Sequence, residues 1–457
     1  MNYIFVEFVK RIGMKKVLLL PNNTDLNRGD QALVWESIRL IEDIYNNDVY
    51  ISIIESGVSS DDIKRQSWQT HERGYHLISP ILKHPSRFSV TRAHKRVNYG
   101  IFDVFLWGLV ALYDLFTSSL LLSNQVILNV VGTLFLSQQE KATLACIKEA
   151  DYVYVKGGGF IHSYGKITDG YQMYYNLFLI LLAQRYGKNI YFFPNSIGPI
   201  KNKYAKKLVN MVLEKAKVVS VRENISKIFL DRYLSISCQK YSDLGYYLED
   251  LSSLNAEKYM SKYINTKKKI VGITLRPWRF PDVEDCGERY KEYVCCMSKF
   301  VEEINKDGFQ VVFFVHTLGP SAHENDFIAI NDVVSTFCQQ NKYPIIKDEK
   351  LNCYDMMRLY GQCDYFVGTR FHSVIFAQNM YVPAISISYG GNKGIGIMEE
   401  LNLSQFAINI NDVSFENLIY TFHLLTEQEM YYKKCLAIHK TILADERRNL
   451  IKVCREQ

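Results

Sequence analysis

No CxxC pair occurs anywhere in the chain, and its ten cysteines are scattered apart from the adjacent Cys295 and Cys296. That excludes a disulfide framework and leaves the thiols as small apolar core residues in a reducing compartment. The ten histidines do not cluster with cysteine at zinc spacing, so no metal is expected. No arginine- or lysine-rich stripe interleaves with aromatics, and a net charge of +6 over 457 residues is modest. Nucleic acid is therefore not an expected partner, while an anionic substrate or an anionic membrane face remains open. A secretory leader is not expected either: Lys10, Arg11, Lys15 and Lys16 precede only the short apolar run Val17 to Leu20, which Pro21 and two Asn end. The expected location is cytoplasmic. Low-complexity segments are missing too, and 32 Tyr with 25 Phe argue against disorder.

What is present is a chain too long for one core and suited to two domains of ~200 residues. Short apolar runs end at turn-formers and hand over to helical patterns. Lys16–Leu20 precedes Pro21-Asn22-Asn23 and a helix over Asp30–Ile44; Tyr152–Val155 precedes Gly157-Gly158-Gly159; Ile190–Phe193 precedes Pro194; Val218–Val221 precedes Arg222-Glu223. After a polar connection over 252–269 the rhythm restarts, with Ile270–Leu275 ending at Arg276, Gln310–Val315 ending at His316, Tyr365–Val367 ending at Gly368, and Ala384–Ser388 ending at Tyr389. This alternation predicts an α/β protein of two Rossmann-like doubly wound domains, 14–252 and 268–430, with a helical tail over 431–457. Ligands in such sheets bind at the carboxyl ends of strands, so two domains place two sets of loops across one cleft.

An insert over about 60–140 departs from this rhythm. Lys83, His84, Arg87, Arg92, His94, Lys95 and Arg96 precede an apolar stretch that carries no charge from Leu115 to Gln139. Asp114 and several polar residues make a spanning helix a poor fit. General burial statistics favour a pair of core helices behind a solvated basic loop; peripheral docking on a membrane face is the other reading.

The candidate chemistry sits at strand ends. In Gly368-Thr369-Arg370-Phe371-His372, a guanidinium and an imidazole stand where a helix begins, an arrangement suited to a carboxylate or phosphate. Lys393 follows a glycine-rich loop and could approach the same anion; Arg222 and Arg276 each follow a strand. On the N-terminal side, Asn27-Arg28-Gly29-Asp30 follows the first strand, with Arg28 expected toward the cleft mouth and Asp30 either a helix cap or a functional carboxylate. Gly157, Gly158 and Gly159 offer bare amides as a nest for an anion or sugar oxygens, or simply allow close packing.

Taken in order, Asn27-Arg28-Gly29-Asp30 with Ala32-Leu33, Gly157-Gly158-Gly159, Ser196-Ile197-Gly198-Pro199, Val221-Arg222-Glu223, Gly368-Thr369-Arg370-Phe371-His372 and the stretch from Pro383 to Leu401 resemble the polysaccharide pyruvyl transferase family. The resemblance spans residues 16–403. It implies a fold like that of GT-B glycosyltransferases, with phosphoenolpyruvate as co-substrate and no further cofactor. Arg370 and His372 would match the family's donor site, Lys393 its downstream lysine and Arg222 a further donor-binding arginine, with Arg276 beside them. Asn27, Arg28, Gly158 and Gly159 would face a glycan or lipid-linked saccharide acceptor, His372 would be the general acid or a phosphate ligand, and Asp30 a base. The rivals are a nucleotide-sugar glycosyltransferase of the same architecture and a non-catalytic scaffold on a membrane assembly.

Overall fold

The computed structural model describes residues 13–88, 101–166, 168–264, 266–281, 283–337, 343–389 and 393–456. The N-terminal half contains β1 (Lys15–Asn23), α1 (Arg28–Ile44), β2 (Val49–Glu55), α2 (Ser60–Glu72), β3 (His76–Ile78), α3 (Ile101–Leu122), α4 (Val126–Leu134), α5 (Gln138–Glu149), β4 (Tyr152–Val155), β5 (Gly158–Ser163), α6 (Asp169–Arg185), β6 (Asn189–Ile200), α7 (Lys203–Glu214), β7 (Val218–Val221), α8 (Asn224–Tyr233) and β8 (Gln239–Lys240). A 3-10 turn over Leu244–Tyr247 and α9 (Ala256–Met260) lead into the second half. There follow β9 (Ile270–Thr274), α10 (Cys286–Lys306), β10 (Gln310–Phe314), α11 (Asp326–Val334), β11 (Ile345–Ile346), α12 (Cys353–Tyr360), β12 (Tyr365–Gly368), α13 (Phe371–Asn379), β13 (Ala384–Ser388), α14 (Lys393–Glu400), β14 (Ala407–Asn409), α15 (Phe415–Glu427) and α16 (Glu429–Glu456).

Both sheets are parallel and share one winding. The first runs β3-β2-β1-β4-β6-β7-β8 with β5 paired to β6; the second runs β11-β10-β9-β12-β13-β14. In each, the strand order reverses beside the first strand, between β1 and β4 and between β9 and β12, and a crevice opens there above the carboxyl ends. The strands are near-continuous apolar runs because helices cover both faces: Val17 to Leu20 and Val311 to Phe314 are all buried.

Two strands outrun their sequence reading. β1 continues through Pro21 and β6 through Pro194, where chain breaks were expected. Register shifts between Leu19 and Asn23 and between Phe192 and Asn195 let the ladder pass a residue that has no N–H to give. The expectation of core helices in the insert is overturned. On α3 and α4 the large apolar side chains face outward, with Phe102, Leu112 and Ile127 exposed at 66%, 65% and 78%. The rest of the insert's basic stretch, Arg92, His94, Lys95 and Arg96, lies outside the described residues.

Polar contacts hold the two halves together. Asn27 bridges Thr317, the Leu318 N–H donates to the Leu26 carbonyl at 2.8 Å, and the Cys353 N–H donates to Gln31 Oε1 at 2.8 Å. The tail helix α16 returns to the N-terminal half. Its Arg447 reaches Glu36 at 3.2 Å and Asp43 at 2.6 Å, and Glu446 accepts from the Ser242 N–H at 3.0 Å.

Candidate active site

Helix α1 starts at the first crevice because Asn27 caps it: its Oδ1 accepts from the Gly29 and Asp30 N–H groups at 3.1 and 3.4 Å. That occupies the Asn27 oxygen expected to face an acceptor and frees Asp30 from any capping role. Asp30 instead meets Lys156, at the end of β4, at 2.8 Å, with the lysine buried and the carboxylate about one-third exposed.

Arg28 does not point to the mouth. It is 1% exposed and works as a pin between domains, donating to the Asp25 carbonyl, to Gln69 Oε1 at 2.9 Å and to the Glu349 carbonyl at 2.9 Å. A guanidinium can serve three acceptors at once, which suits a crowded joint better than an open cleft. Gly158 and Gly159 are likewise not a free loop. They open β5 in parallel register with β6, Gly158 opposite Asn195, and Gly158 needs its positive φ of 154° to do so. Gly157 is the close-packed one: a Cβ there would come within 3.0 Å of the Pro194 carbonyl oxygen and 3.1 Å of Leu244.

The residues that do converge are Arg222 and His372, and Asp243 joins them. His372 is the second residue of α13, in the C-terminal half, yet its ring lies on the N-terminal half. A Cβ on Gly29 would come within 2.5 Å of its Nδ1, and a Cβ on Gly245 within 3.5 Å of its Cδ2. Its Nε2 is 3.7 Å from Asp243 Oδ1. The fully buried Asp243 also accepts from the Gly245 N–H at 2.7 Å and pairs with Arg222 Nη1. Burial would raise the Asp243 carboxyl, but Arg222 and His372 outweigh it and hold it well below the usual carboxylate range. Arg222 Nε donates to Ser196 Oγ at 2.7 Å, while its Nη2 is buried with no hydrogen-bond partner among the described residues. The result is an Arg222–Asp243 ion pair with His372 beside it across the domain joint; His372 Nε2, like Arg222 Nη2, is buried with no hydrogen-bond partner among the described residues.

A second cluster surrounds Arg370. Its Nε donates to Asp326 Oδ1 at 2.8 Å, its Nη1 to Glu324 Oε2 at 2.8 Å and its Nη2 to the Glu324 carbonyl at 3.1 Å. Burial alone would weaken its charge, but Asp326 and Glu324 hold its pKa above the ordinary arginine value. Arg276 shares Glu324 at 2.5 Å and stacks on Tyr389 at 4.3 Å and Trp278 at 5.0 Å. Burial pushes the Glu324 carboxyl up, yet Arg276, Arg370 and His323 bring it down to about 2. The expected cluster of free cations is thus a compensated one, two arginines against two carboxylates. Lys393 opens α14, and its side chain lies outside the described residues.

His316, at the end of β10, stands between the clusters. Its Nδ1 is 3.0 Å from the Tyr360 hydroxyl, its Nε2 is buried without a hydrogen-bond partner among the described residues, and its carbonyl accepts from the Arg28 N–H at 3.3 Å. Burial, then the positive groups of His372, Arg370 and Arg28, pull its pKa well below the ordinary value and keep the imidazole neutral. Sequence reasoning assigned no role to Asp243, His316, Glu324 or Asp326. The only signal was position: His316 ends a strand, and Asp243 stands two residues before a glycine after a polar run.

Comparison with known proteins shows the family and the fold. The family model for polysaccharide pyruvyl transferases matches residues 27–391. A glycosyltransferase structure from Rickettsia africae ESF-5 is similar over 97% of this chain and 98% of its own, at 14% identity and TM-score 0.50. A putative UDP-N-acetylglucosamine 2-epimerase from Listeria monocytogenes is similar over 93% and 91%, at 11% identity and TM-score 0.54. A Phytolacca americana protein complexed with UDP-2fluoro-glucose and pterostilbene is similar over 96% and 98%, at 8% identity and TM-score 0.53. At these identities the likeness is one of fold, the two parallel-sheet domains of the GT-B type.

Proposed function

The chain belongs to the polysaccharide pyruvyl transferase family, and on that premise we propose that it transfers the pyruvyl group of phosphoenolpyruvate to a pair of sugar hydroxyls as a ketal. The observation that carries the reading is His372, set by Gly29 and Asp243 at the meeting of both crevices, with the unpaired Nη2 of Arg222 in the same cluster. Protonated His372 delivers its proton to the methylene carbon of phosphoenolpyruvate, and the adjacent carbon becomes oxocarbenium-like. A sugar hydroxyl adds to that carbon and gives up its proton to Asp30, a part-exposed carboxylate next in sequence to Gly29. Phosphate leaves with its bridging oxygen and carries off the proton held by Asp30; a second hydroxyl adds to the same carbon and its proton restores His372. Asp243 stabilises the imidazolium and fixes its orientation. Arg222, Arg276, Arg370 and Lys393 bind the carboxylate and phosphate. No cofactor beyond phosphoenolpyruvate takes part, the acceptor is a glycan or lipid-linked saccharide, and the reaction runs in the cytoplasm.

The test is phosphate release from phosphoenolpyruvate over a panel of glycoside and lipid-linked acceptors, for wild type, His372→Ala and Asp243→Asn. Acceptor-dependent release, lost in His372→Ala and reduced ~10²-fold or more in Asp243→Asn, is expected. A second reading, transfer from a nucleotide sugar, draws on the Trp278–Tyr389 pair at 4.7 Å, which could flank a base, and on the UDP ligand of one structural neighbour. Calorimetric preference for a UDP-sugar over phosphoenolpyruvate would overturn the first reading in favour of the second.

A further inference from the structure

Helix α3 is built inside out. Its inward stripe carries Asp103, Asp114 and Ser118, all buried, while Phe102, Phe105, Leu109, Leu112 and Phe116 stand in the open. A helix facing water has the opposite arrangement. The following α4 extends the same face with Val126, Ile127 and Leu134, each more than 70% exposed. No charged residue lies on either helix except the inward Asp103 and Asp114. An apolar face of this extent, carrying Tyr113 and Ser119 but no exposed charge, is rare on a water-solvated monomer.

We propose that the α3–α4 hairpin docks this protein on an anionic lipid bilayer, lying in the interface without crossing it. By length and composition α3 could cross, but its inner stripe is bonded to the globular domain along its course. Asp114 takes two hydrogen bonds from Arg87, at 2.6 and 2.7 Å, Ser118 Oγ meets the Tyr174 hydroxyl at 2.7 Å, and the Ser123 carbonyl accepts from Arg185 at 3.0 Å. Pulling α3 into hydrocarbon would strand those groups, whereas burying its outer face at the headgroup boundary costs none of them. The sequence supplies the complementary charge. Beyond Arg87, which Asp114 neutralises, residues 88–102 contain Arg92, Lys95 and Arg96 and no carboxylate at all. A second copy of the chain is the poorer occupant, because pairing this face with itself would bring together two like-charged basic runs, each joined directly to α3 in sequence.

The docking also orients the cleft. α6 begins at the carboxyl edge of the first sheet, directly after β5, and Tyr171 in its first turn meets Asp114 at 3.5 Å. Farther along, Ser123 meets Arg185 near the end of α6, so the two helices run in the same direction. The half of α3 before Asp114 therefore projects past the sheet edge on the cleft side. Resting on the proposed pyruvyl transfer, this geometry points to an acceptor carried on a membrane lipid.

Flotation of the full-length protein with vesicles tests the docking without depending on turnover, so its failure and a failure of the catalytic reading are separable. Vesicles of phosphatidylcholine with ~30% phosphatidylglycerol should carry most of the wild type upward, and pure phosphatidylcholine several-fold less. Phe105→Ser/Leu112→Ser/Phe116→Ser should reduce flotation about tenfold or more with its thermal unfolding unchanged. Brominated lipid should quench a Leu112→Trp variant far more than wild type, whose Trp107 lies on the inner side of α3 near His84, a readout that does not need the triple variant to fold. Wild type left behind by anionic vesicles overturns the proposal. So does a triple variant that floats like wild type, or a wild-type dimer that the triple substitution dissociates while no flotation is seen.

Discussion

Gly29 and Gly170 form a matched pair of substitutions. Each is the second residue of a 17-residue helix, α1 or α6, so alanine brings each helix a similar gain of up to ~1 kcal/mol from reduced backbone freedom. Their surroundings differ. A Cβ on Gly170 meets nothing closer than 3.8 Å, which is ordinary contact, whereas one on Gly29 comes within 2.5 Å of His372 Nδ1 and 2.6 Å of its Cβ and Cγ. Comfortable separation is ~3.5–4.0 Å, so the ring must retreat by ~1 Å. The Asp243 contact at 3.7 Å and the Gly245 packing cannot both survive that shift.

Overpacking of this kind costs ~1–3 kcal/mol, offset in part by the helix gain, so Gly29→Ala should lower stability by no more than ~2 kcal/mol. Its effect on turnover should be far larger, on the order of 10²-fold in kcat, the usual result of a ~1 Å misplacement of a reacting group. Gly170→Ala should keep full turnover and gain a few tenths of a kcal/mol. Acceptor-dependent phosphate release gives the rates and urea unfolding the stabilities. Wild-type turnover in Gly29→Ala, or equal losses in both variants, would refute the placement of His372 at the reacting atoms.

Three more expectations follow from the same contacts. Arg28→Ala strands the Asp25 and Glu349 carbonyls and Gln69 at the joint and should cost ~2–4 kcal/mol in urea unfolding; an acceptor-binding arginine would instead leave stability alone and raise KM. His439, 3.0 Å from Ser242 Oγ under α16, has its pKa lowered by burial to about 4. Its neutral form thus stabilises the fold above pH ~6.5, and that contribution is lost as pH falls toward 4. Between pH 7.5 and 5.0, wild type should lose ~2 kcal/mol more than His439→Gln, and equal losses would exclude the effect. Glu324→Gln removes one of two carboxylates from the Arg276–Arg370 cluster and leaves it with net positive charge. Phosphoenolpyruvate should then bind about threefold to tenfold more tightly by calorimetry, and weaker binding would show that Glu324 positions Arg370 more than it competes with the ligand.

The parts of the site that were legible in the sequence are those fixed by local chain order. A strand run followed by a turn residue and a helix pattern marks a loop at the carboxyl edge; Arg222, Arg276 and Arg370 lie on such loops, and His372 in the first turn of the helix that follows one. What each side chain touches there depends on chain far away. Arg370 finds its carboxylates 44 and 46 residues upstream, and Arg28 finds a carbonyl 321 residues downstream. Nothing local separates an arginine that lines a cleft from one that closes a joint. The glycines misled for a related reason: Gly158 looks like a loop residue, but its freedom is spent on entering a strand that pairs with Asn195. In α3 the stripe of Asp103, Asp114 and Ser118 is legible, but the usual rule turns polar residues to water and so points to the wrong face as buried.

The placement of His372 ties the chemistry to the domain joint. Its backbone belongs to the second sheet's crevice, while Gly29, Gly245 and Asp243, which receive its ring, belong to the first half. Neither half alone can present an oriented imidazole, so the register between halves has to be held to a fraction of an ångström. That explains why apolar packing across the joint, such as Trp35 against Tyr354, is supplemented by directional bonds, Arg28 with three acceptors, the Asn27–Thr317 bridge and the Leu318–Leu26 hydrogen bond, all within a few residues of Gly29 or His316. An apolar contact of the same area would tolerate sliding; these bonds do not. The tail helix adds a second tether from the far end of the chain, through Arg447 to Glu36 on α1. α1 thus carries the joint at its first turn and the tail contact at its third. Loosening either contact would be felt at His372, although neither touches substrate.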